Sequence, residues 1–303
     1  IKSIESILRL PMSTIKIAVA SGKGGTGKTM VATSLAACLD TQFSVQFLDC
    51  DVEAPNAHLF FKPEIETNQP AVILIPEIDQ TTCTACGKCV QICEFHALAQ
   101  TEDQIILFPQ LCHGCGSCYR ICPENAIHET PRKIGNMRFG KARSKIRFLT
   151  GDLTISEPMP TPIIRQLKVR LSDENKVTIF DSPPGASCAV VATVHDADFV
   201  ILVTEPTPFG LHDLKQMLGV LDQTGSPGGV IVNRDGIGDF QVEDFLDQTS
   251  YPVMMKIPYQ AEIAVGLAKG KILTDFFPQY QDKFLKLYQD IIETINHDEQ
   301  VGV

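Results

Sequence analysis

Residues 21–29 read SGKGGTGKT, and this stretch limits the possible folds more than any other part of the chain. From Gly22 to Thr29 it matches the pattern Gly-x4-Gly-Lys-Thr, in which glycine backbone N–H groups converge on phosphate oxygens. Such a loop needs a strand before it and a helix after it, because the helix N-terminus adds positive potential at the phosphates. The run IKIAVAS at 15–21 suits a strand, and residues 27–40 have a helical pattern. The sequence therefore predicts a nucleotide-binding strand–loop–helix unit.

Within this loop the side chains have separate tasks. We expect Lys28 to reach the β- and γ-phosphates and Thr29 to ligate Mg²⁺. The whole predicted phosphate-binding segment consists of Gly22, Lys23, Gly24, Gly25, Thr26, Gly27, Lys28, Thr29 and Met30.

Most of the remaining chain alternates between short apolar runs and helical patterns. The predicted strands are 15–21, 44–49, 176–182, 198–205, 228–233 and 251–257. The predicted helices are 27–40, 161–171, 209–223, 241–248 and 260–269. Several of the strands are apolar at nearly every position, as expected when helices cover both faces of a parallel sheet. The alternation predicts a doubly wound α/β domain with a mostly parallel sheet.

This rhythm stops between about 76 and 128, where two copies of the spacing C-x2-C-x2-C-x3-C begin at Cys83 and Cys112. Apolar residues are too few here for a conventional core, so we expect a compact inserted module of residues 76–127. The α/β domain would then comprise 12–75 and 128–303, after an N-terminal extension of residues 1–11. The basic stretch 132–151 favours a hairpin or extended return path, read either as a solvated sheet edge or as a docking surface for an acidic partner.

The loop has an additional lysine near its start, Lys23 in GKGGTGKT, and this lysine is the basis of a resemblance to a known family. The pattern resembles the deviant P-loop ATPases of the MinD, ParA, Mrp and nitrogenase iron protein type, which belong to the SIMIBI class of P-loop proteins. In that family the early lysine contacts the nucleotide of a second subunit. The resemblance implies a Mg²⁺-dependent ATPase, slow and partner-coupled, that forms an ATP-sandwich homodimer with Lys23 as its trans contact and Lys23, Lys28 and Asp51 as catalytic residues.

Further positions extend the resemblance over about residues 15–275. DCDVEAPN (49–56) looks like the family's first switch, which implies that Asp51 orients or deprotonates the attacking water and that Asn56 supports it. FDSPPG (180–185) resembles the second carboxylate motif, so Thr29, Asp51 and Asp181 would surround Mg²⁺. By resemblance alone, Asn233, Pro258 and Tyr259 would form the adenine pocket.

The two cysteine runs resemble those of bacterial two-cluster ferredoxins, in which the fourth cysteine of each run ligates the other cluster. This resemblance implies two [4Fe–4S] clusters per chain. Cluster one would use Cys83, Cys86, Cys89 and Cys122, and cluster two would use Cys112, Cys115, Cys118 and Cys93. Structural zinc is the alternative, because such sites also use C-x2-C pairs. Glu94 replaces the proline that follows the fourth cysteine in ferredoxins, which changes a turn and not a ligand.

The chain has 11 cysteines, of which three lie outside the runs. Cys38 falls in the apolar pattern of a helix and is expected in the core, and Cys50 is expected to pack beneath the first switch. Cys188 follows Asp181 by seven residues, the offset of a cluster-bridging cysteine in the nitrogenase iron protein. We interpret it as an exposed interface thiol or a buried spectator, in preference to a ligand of a third cluster.

Charge and hydropathy exclude some classes of partner. A net charge of −10 disfavours nucleic acid as the main partner, and no run approaches the ~20 apolar residues of a membrane span. We find no membrane anchor and no export signal, so we expect a cytoplasmic protein with reduced thiols. The apolar positions of the C-terminal helical pattern are expected to dock on the chain's own domain; they are Phe284, Leu287, Tyr288, Ile291, Ile292 and Ile295.

Three functions are consistent with these features. The first is an electron carrier in which nucleotide-dependent dimer closure gates electron transfer through the clusters. The second is an Fe–S assembly or transfer factor of the Mrp type, and the third is a spatial organiser like MinD. The acidic polar face of the C-terminal helix argues against the third. No cysteine follows Cys188 to bridge a labile cluster, so the electron carrier ranks first, with an unidentified redox or Fe–S acceptor protein as its partner.

Overall fold

The computed structural model describes residues 14–238 and 241–301, with side chains described as far as residue 297. The predicted extension over 1–11 lies outside these residues. The strands are β1 (Ile15–Ser21), β2 (Val45–Asp49), β3 (Glu64–Ile78), β4 (Leu98–Gln100), β5 (Ile105–Leu107), β6 (Ile127–Ala142), β7 (Ile146–Leu153), β8 (Val177–Pro184), β9 (Phe199–Thr204), β10 (Gly228–Asp235) and β11 (Val253–Pro258). The helices are α1 (Lys28–Leu39), α2 (Ala57–Phe61), α3 (Lys88–Gln91), α4 (Ser117–Ile121), α5 (Thr161–Lys168), α6 (Cys188–Val194), α7 (Pro208–Thr224), α8 (Gln241–Leu246), α9 (Ala261–Ala268), α10 (Leu273–Phe276) and α11 (Gln279–Val301).

One large sheet organises the described part of the chain. Its nine strands follow the order β11-β10-β9-β1-β8-β2-β7-β6-β3. The first seven are parallel, while β6 and β3 add an antiparallel pair at one side. β2 and β9 are buried at every position, as expected for central strands covered on both faces. The α/β class and the mostly parallel sheet predicted from the alternation are confirmed.

Helices cover both faces of this sheet and create two hydrophobic cores. One core lies under α1, α9, α10 and α11, and it includes Leu35, Phe47, Phe148 and Phe284. The other lies under α5, α6, α7 and α8 on the opposite face. All 12 residues of α1 are buried between the sheet and its neighbours, so the helix that follows the phosphate loop is held along its whole length.

The C-terminal helix α11 packs on the first of these cores, as the apolar positions of its sequence predicted. Tyr288 and Phe284 are fully buried, and Phe43 packs against the Tyr288 ring with centroids 5.5 Å apart. In the parts of the chain the structure describes, none of the helices has the length and apolar character that crossing a bilayer requires.

Strands β3 and β6 extend beyond the sheet as a two-stranded ribbon. β7 pairs with β6 only from Gly135 to Ala142, whereas β3 and β6 remain paired as far as Ile78 and Ile127. The register of β3 shifts at Ala71/Val72, opposite Gly135, where the ribbon leaves the sheet. Residues 79–126 lie at its far end and contain α3, α4 and the β4–β5 hairpin, packed on a small core; that core comprises Cys89, Leu98, Ile105 and Ile127.

The basic stretch 132–151 forms a hairpin of β6 and β7, as expected, but it is not the sheet edge. β6 lies between β7 and β3, so both of its sides are paired there. The edge strand is β3, which sequence reasoning missed. Pro70 and Pro76 lack an N–H donor and lower its apparent strand propensity. An edge strand nevertheless accommodates proline, because the backbone groups on its free side need no hydrogen-bond partner in the sheet.

Candidate nucleotide and cysteine sites

The loop between β1 and α1 depends on two glycines with left-handed backbone. Gly25 has φ 83° and Gly27 has φ 99°. A Cβ atom on Gly27 would also lie 2.4 Å from Nδ2 of Asn233. That amide donates a hydrogen bond to the carbonyl of Thr26 at 2.7 Å, which fixes the loop against β10. The shape of the loop is thus set by its glycines and by the buried Asn233 side chain of β10, which lies 207 residues after Thr26 in the sequence.

A cleft with an empty volume of about 1320 Å³ opens beside this loop. Most of the predicted nucleotide-binding residues line it: Gly24, Gly25, Gly27, Lys28, Thr29, Met30, Asp51, Asn56, Asn233, Pro258 and Tyr259. Gly22, Lys23 and Thr26 lie instead along a smaller cavity behind the loop, against α7 and β9. The structure therefore brings the ends of β2, β10 and β11 to one cleft at the C-terminal edge of the sheet, where ligands bind in open α/β folds.

Lys28 lies between the two predicted carboxylates. Its Nζ is 3.5 Å from Asp181 Oδ1 and 4.0 Å from Asp51 Oδ2. Burial raises the pKa of Asp181, and the neighbouring Lys28 and Thr29 side chains act against that rise. Burial likewise raises the pKa of Asp51, with Lys28 again opposing it. Neither carboxylate oxygen of the fully buried Asp181 has a partner with hydrogen-bond geometry, and Lys28 is the cation that pairs with it.

Asp49 is a buried residue of this site that sequence reasoning did not single out. Its carboxylate accepts hydrogen bonds from the backbone N–H groups of Asp51, Asn56 and Ala57, at 3.2, 3.1 and 3.1 Å. It therefore holds both ends of the 50–57 loop. Burial and the charge of Asp181 raise its pKa well above the ordinary value. Its position as the last residue of an apolar strand, the same signal that identified Asp181, could have revealed it.

Lys23 makes an ion pair within its own chain. Its Nζ contacts Glu205, which lies buried at the end of β9. The second oxygen of Glu205 accepts from Arg234 Nη1 at 2.8 Å, and Arg234 Nη2 donates to the carbonyl of Gly25 at 3.0 Å. One buried carboxylate thus holds two cations beside the phosphate loop. Neither Glu205 nor Arg234 was identified from the sequence.

Two cavities near the tip of the β3–β6 ribbon are lined by cysteines. One is lined by Cys93, Cys112, Cys115 and Cys118. The other is lined by Cys83, Cys86, Cys89 and Cys122. Each run therefore places three cysteines at one cavity and its fourth at the other. We call these the inner cavity and the outer cavity, since the first is bordered by Leu74 and the second by Ile78, further along the ribbon.

The two cavities share a local pattern. The N–H of Ala97 donates to Cys93 Sγ, and the N–H of Ala126 donates to Cys122 Sγ, both at 3.3 Å. Such bonds stabilise a thiolate more than a thiol. Beside the inner cavity the rings of Phe95 and His113 stack, with centroids 3.7 Å apart.

All 11 cysteines are free thiols. Cys38 and Cys50 are buried, as expected, and burial raises the pKa of Cys38 to about 11 and that of Cys50 to about 12. Cys188 is exposed at the first residue of α6, which agrees with the interpretation of an exposed thiol. Among the described side chains, no three of His, Cys, Asp and Glu converge closely enough to hold a single metal ion.

Comparison with known proteins identifies sequence relatives over nearly the whole chain. The sequence profile described as the CobQ/CobB/MinD/ParA nucleotide binding domain matches residues 17–273. An uncharacterized protein of Methanocaldococcus jannaschii, MJ0578, is 30% identical over 286 residues, which cover 93% of this chain and 98% of that protein.

Solved structures resemble the fold at lower identity. The cell division ATPase MinD of Pyrococcus furiosus has a TM-score of 0.56 and 20% identity, covering 93% of this chain and 99% of that one. MinD of Pyrococcus horikoshii, solved with Mg-ADP, also has a TM-score of 0.56, with 19% identity and coverage of 90% and 94%. At this identity the likeness concerns the fold.

Proposed function

The chain belongs to the CobQ/CobB/MinD/ParA family of nucleotide-binding proteins, and from this premise we propose that it is an ATP-hydrolysing iron–sulfur protein. Nucleotide-dependent closure of a homodimer would gate electron transfer through two [4Fe–4S] clusters. One observation carries this proposal: eight cysteines line two four-cysteine cavities on a ribbon that continues the nucleotide-binding sheet.

The cleft residues suit Mg-ATP. The glycines of the loop leave backbone N–H groups free to bind phosphate oxygens, and Lys28 supplies the positive charge beside them. Asp181 and Thr29 would hold Mg²⁺, and the unbonded oxygens of the buried Asp181 fit a cation there. Bound Mg²⁺ would neutralise charge that develops on the phosphates. Asp51, which lines the cleft and is kept in place through Asp49, is suited to orient the attacking water.

A second copy of the chain is the proposed partner at the mouth of the cleft. Gly24, Gly25 and the apolar side chain of Tyr259 are exposed there. Two more large apolar side chains, Phe209 after β9 and Ile237 after β10, are exposed beyond the C-terminal ends of neighbouring strands. Exposed apolar groups around a polar centre are typical of protein interfaces. Lys23 is one third exposed, so a movement of its side chain alone would let it leave Glu205 and contact the partner's nucleotide.

The cysteine cavities suit iron–sulfur clusters. Each offers four thiol groups and one backbone N–H donor to sulfur, a donor set typical of four-iron clusters. A bound cluster would accept and release single electrons. The chain's own contribution is to exclude water with Leu98, Ile105 and Ile127. It also holds Cys89 and Cys118 on the short helices α3 and α4. Four ligands per cavity favour retention of each cluster, which supports the electron carrier over the Fe–S assembly factor.

Anaerobic purification with metal and sulfide analysis tests the proposal directly. We expect about eight iron and eight sulfide per chain, as two four-iron clusters require, and EPR signals that change when Mg-ATP is added. Cys86→Ser and Cys115→Ser should each remove the signal of one cluster, whereas Cys188→Ser should leave both. Zinc in place of iron, or EPR signals indifferent to nucleotide, would exclude the gated electron carrier. Ready release of iron and sulfide to an apo-ferredoxin would instead favour the assembly factor.

A further inference from the structure

An ion pair at the root of the ribbon lies between the nucleotide cleft and the inner cysteine cavity. Arg132 of β6 donates to Glu157 through both terminal nitrogens, Nη1 to Oε2 at 2.5 Å and Nη2 to Oε1 at 3.1 Å. Glu157 is only 6% exposed and Arg132 is 20% exposed. A bidentate, half-buried pair of this kind fixes the guanidinium plane far more firmly than a surface ion pair does.

On one side the pair adjoins the inner cavity. Arg132 pairs in the ladder with Ile73 of β3, and the loop of Gly114 packs on the same point of β3. A Cβ atom on Gly114 would lie 2.8 Å from the carbonyl oxygen of Leu74 and 3.3 Å from Cβ of Ile73. Gly114 in turn lines the inner cavity. Arg132 of β6 is therefore connected to the inner four-cysteine set through one residue of β3, Ile73.

On the other side the pair is connected to the first switch by backbone hydrogen bonds. The N–H of Leu153, at the end of β7, donates to the carbonyl of Val52 at 2.8 Å, and Val52 follows the cleft residue Asp51. The next N–H, that of Thr154, donates to Ile134 of β6 at 2.9 Å, and the N–H of Glu157 donates to Thr154 at 3.0 Å. Movement of the 50–57 loop would thus be transmitted through one short segment, 153–157, to the partner of Arg132.

We propose that Glu157 is a positioning residue through which the nucleotide state sets the distance of Arg132 from the inner cysteine set, and hence the reduction potential of the cluster held there. This inference rests on the proposed function. A cation near a cluster stabilises the more negative reduced form, so closer approach of Arg132 raises the potential and withdrawal lowers it. The outer cavity lies further along the ribbon, so its cluster responds less.

Redox titration of the cluster-loaded protein, followed by EPR with and without a non-hydrolysable ATP analogue, tests this link. In the wild type, the analogue should shift the potential of one cluster. Glu157→Gln should retain its iron and its affinity for the analogue but lose most of that shift. Arg132→Gln should lower the reduced-to-oxidised ratio of the same cluster about tenfold at a fixed potential, which is ~59 mV for one electron.

The matched control is Arg138→Gln on the same strand. Arg138 pairs with Asp152 at 3.0 Å in a more exposed ion pair, and it lies six residues further along β6 from the ribbon tip than Arg132 does. It should behave as the wild type. Hydrogen exchange supplies a readout that does not depend on the clusters: the analogue should change protection of the Leu153 and Thr154 amides.

Two results overturn the inference in different ways. If Glu157→Gln keeps the full nucleotide-dependent shift, Glu157 does not transmit the nucleotide state, although the gated carrier stands. If the wild type itself carries clusters that show no shift with the analogue, gating as the proposed function fails together with this inference.

Discussion

At the scale of single residues, the nucleotide cleft concentrates negative charge around one lysine. Asp49, Asp51 and Asp181 are all buried, and Lys28 is the cation between the latter two. Burial of carboxylates short of partners lowers the stability of the folded chain, because water solvates them better in the unfolded state. Under the proposed function, the site would trade stability of the free protein for attraction to Mg²⁺, which is a common arrangement at functional sites.

Asp181→Asn should therefore stabilise the nucleotide-free protein at neutral pH, by roughly 1–3 kcal/mol. The native pKa of Asp181 is raised, so the folded state binds more protons than the unfolded state above about pH 4. Wild-type stability then falls as pH rises through the native pKa, and the advantage of the variant grows over the same range. Urea unfolding at a series of pH values rising from about pH 4 measures this difference.

The same variant should lose the stabilisation that Mg-ADP gives the wild type, about 2.7 kcal/mol at 100 times the dissociation constant. An advantage of Asp181→Asn that does not vary with pH would contradict the assignment of its effect to buried charge.

Lys23 and Lys28 should differ in what their removal costs. Lys28→Ala should abolish nucleotide binding, because this side chain lines the cleft. Lys23→Ala should bind ATP with near-normal affinity but hydrolyse it about 10³-fold more slowly, the order of effect expected for a cation supplied in trans. Calorimetry measures the ATP affinity, and single-turnover hydrolysis measures the rate.

Lys215→Ala serves as the control, since this lysine packs over Phe245 away from the cleft. Normal hydrolysis by Lys23→Ala would rule out the trans contact.

Local patterns revealed some of these residues and hid others. Lys28, Thr29 and Asp181 stand in short motifs whose spacing is fixed by the loop and by the strand end. Glu205 meets Lys23, and Arg234 meets Glu205, only because β9 and β10 end next to the phosphate loop. No spacing in the sequence encodes that contact, since 182 residues separate Lys23 from Glu205.

At the scale of elements, the place where the ribbon leaves the sheet is held by one side chain of α5. The amide of Gln166 donates to the carbonyl of Val72 at 2.9 Å and accepts from its N–H at 3.3 Å. Val72 lies at the register shift of β3, on the free edge of the sheet. Gln166 thus covers backbone groups that the ladder cannot pair, a recognised way of protecting an edge strand.

Gln166→Leu should destabilise the protein by about 1–3 kcal/mol, because it leaves two backbone groups of Val72 without partners. Hydrogen exchange at Val72 should become faster while exchange in β1 and β8 stays unchanged. Gln69→Leu is the control on the same strand, because Gln69 only accepts from the exposed Arg170. Equal losses in the two variants would show that Gln166 contributes no more than a surface glutamine.

Strand prediction succeeded where burial on both faces leaves an apolar run and failed for the ribbon. β1, β8 and β9 follow apolar or nearly apolar sequences. β3 has a polar first half, and its apolar run 71–75 lies between Pro70 and Pro76. Its pairing with β6 joins segments up to 77 residues apart in sequence, and no local pattern encodes such a partner.

At the scale of the whole molecule, the sheet and the segment at the ribbon tip have hydrophobic cores of very different size, and strands β3 and β6 join them. The sheet has two extensive cores, whereas the segment at the ribbon tip has a core of four fully buried residues. So small a core seldom supports a fold without metal or disulfide cross-links. The module boundaries predicted from the cysteine spacing, 76 and 127, stay a prediction that stability measurements can test.

Removal of iron with a chelator under oxidising conditions should therefore unfold the tip and spare the sheet. We expect limited proteolysis to cut within 79–126, while nucleotide affinity changes less than about tenfold, or 1.4 kcal/mol. Far-UV circular dichroism should decline only slightly, since β4, β5, α3 and α4 are short. Cys188→Ser, which removes an exposed thiol outside both cavities, should respond to the chelator as the wild type does. Loss of nucleotide binding together with the iron would mean that the tip and the sheet fold as one cooperative unit.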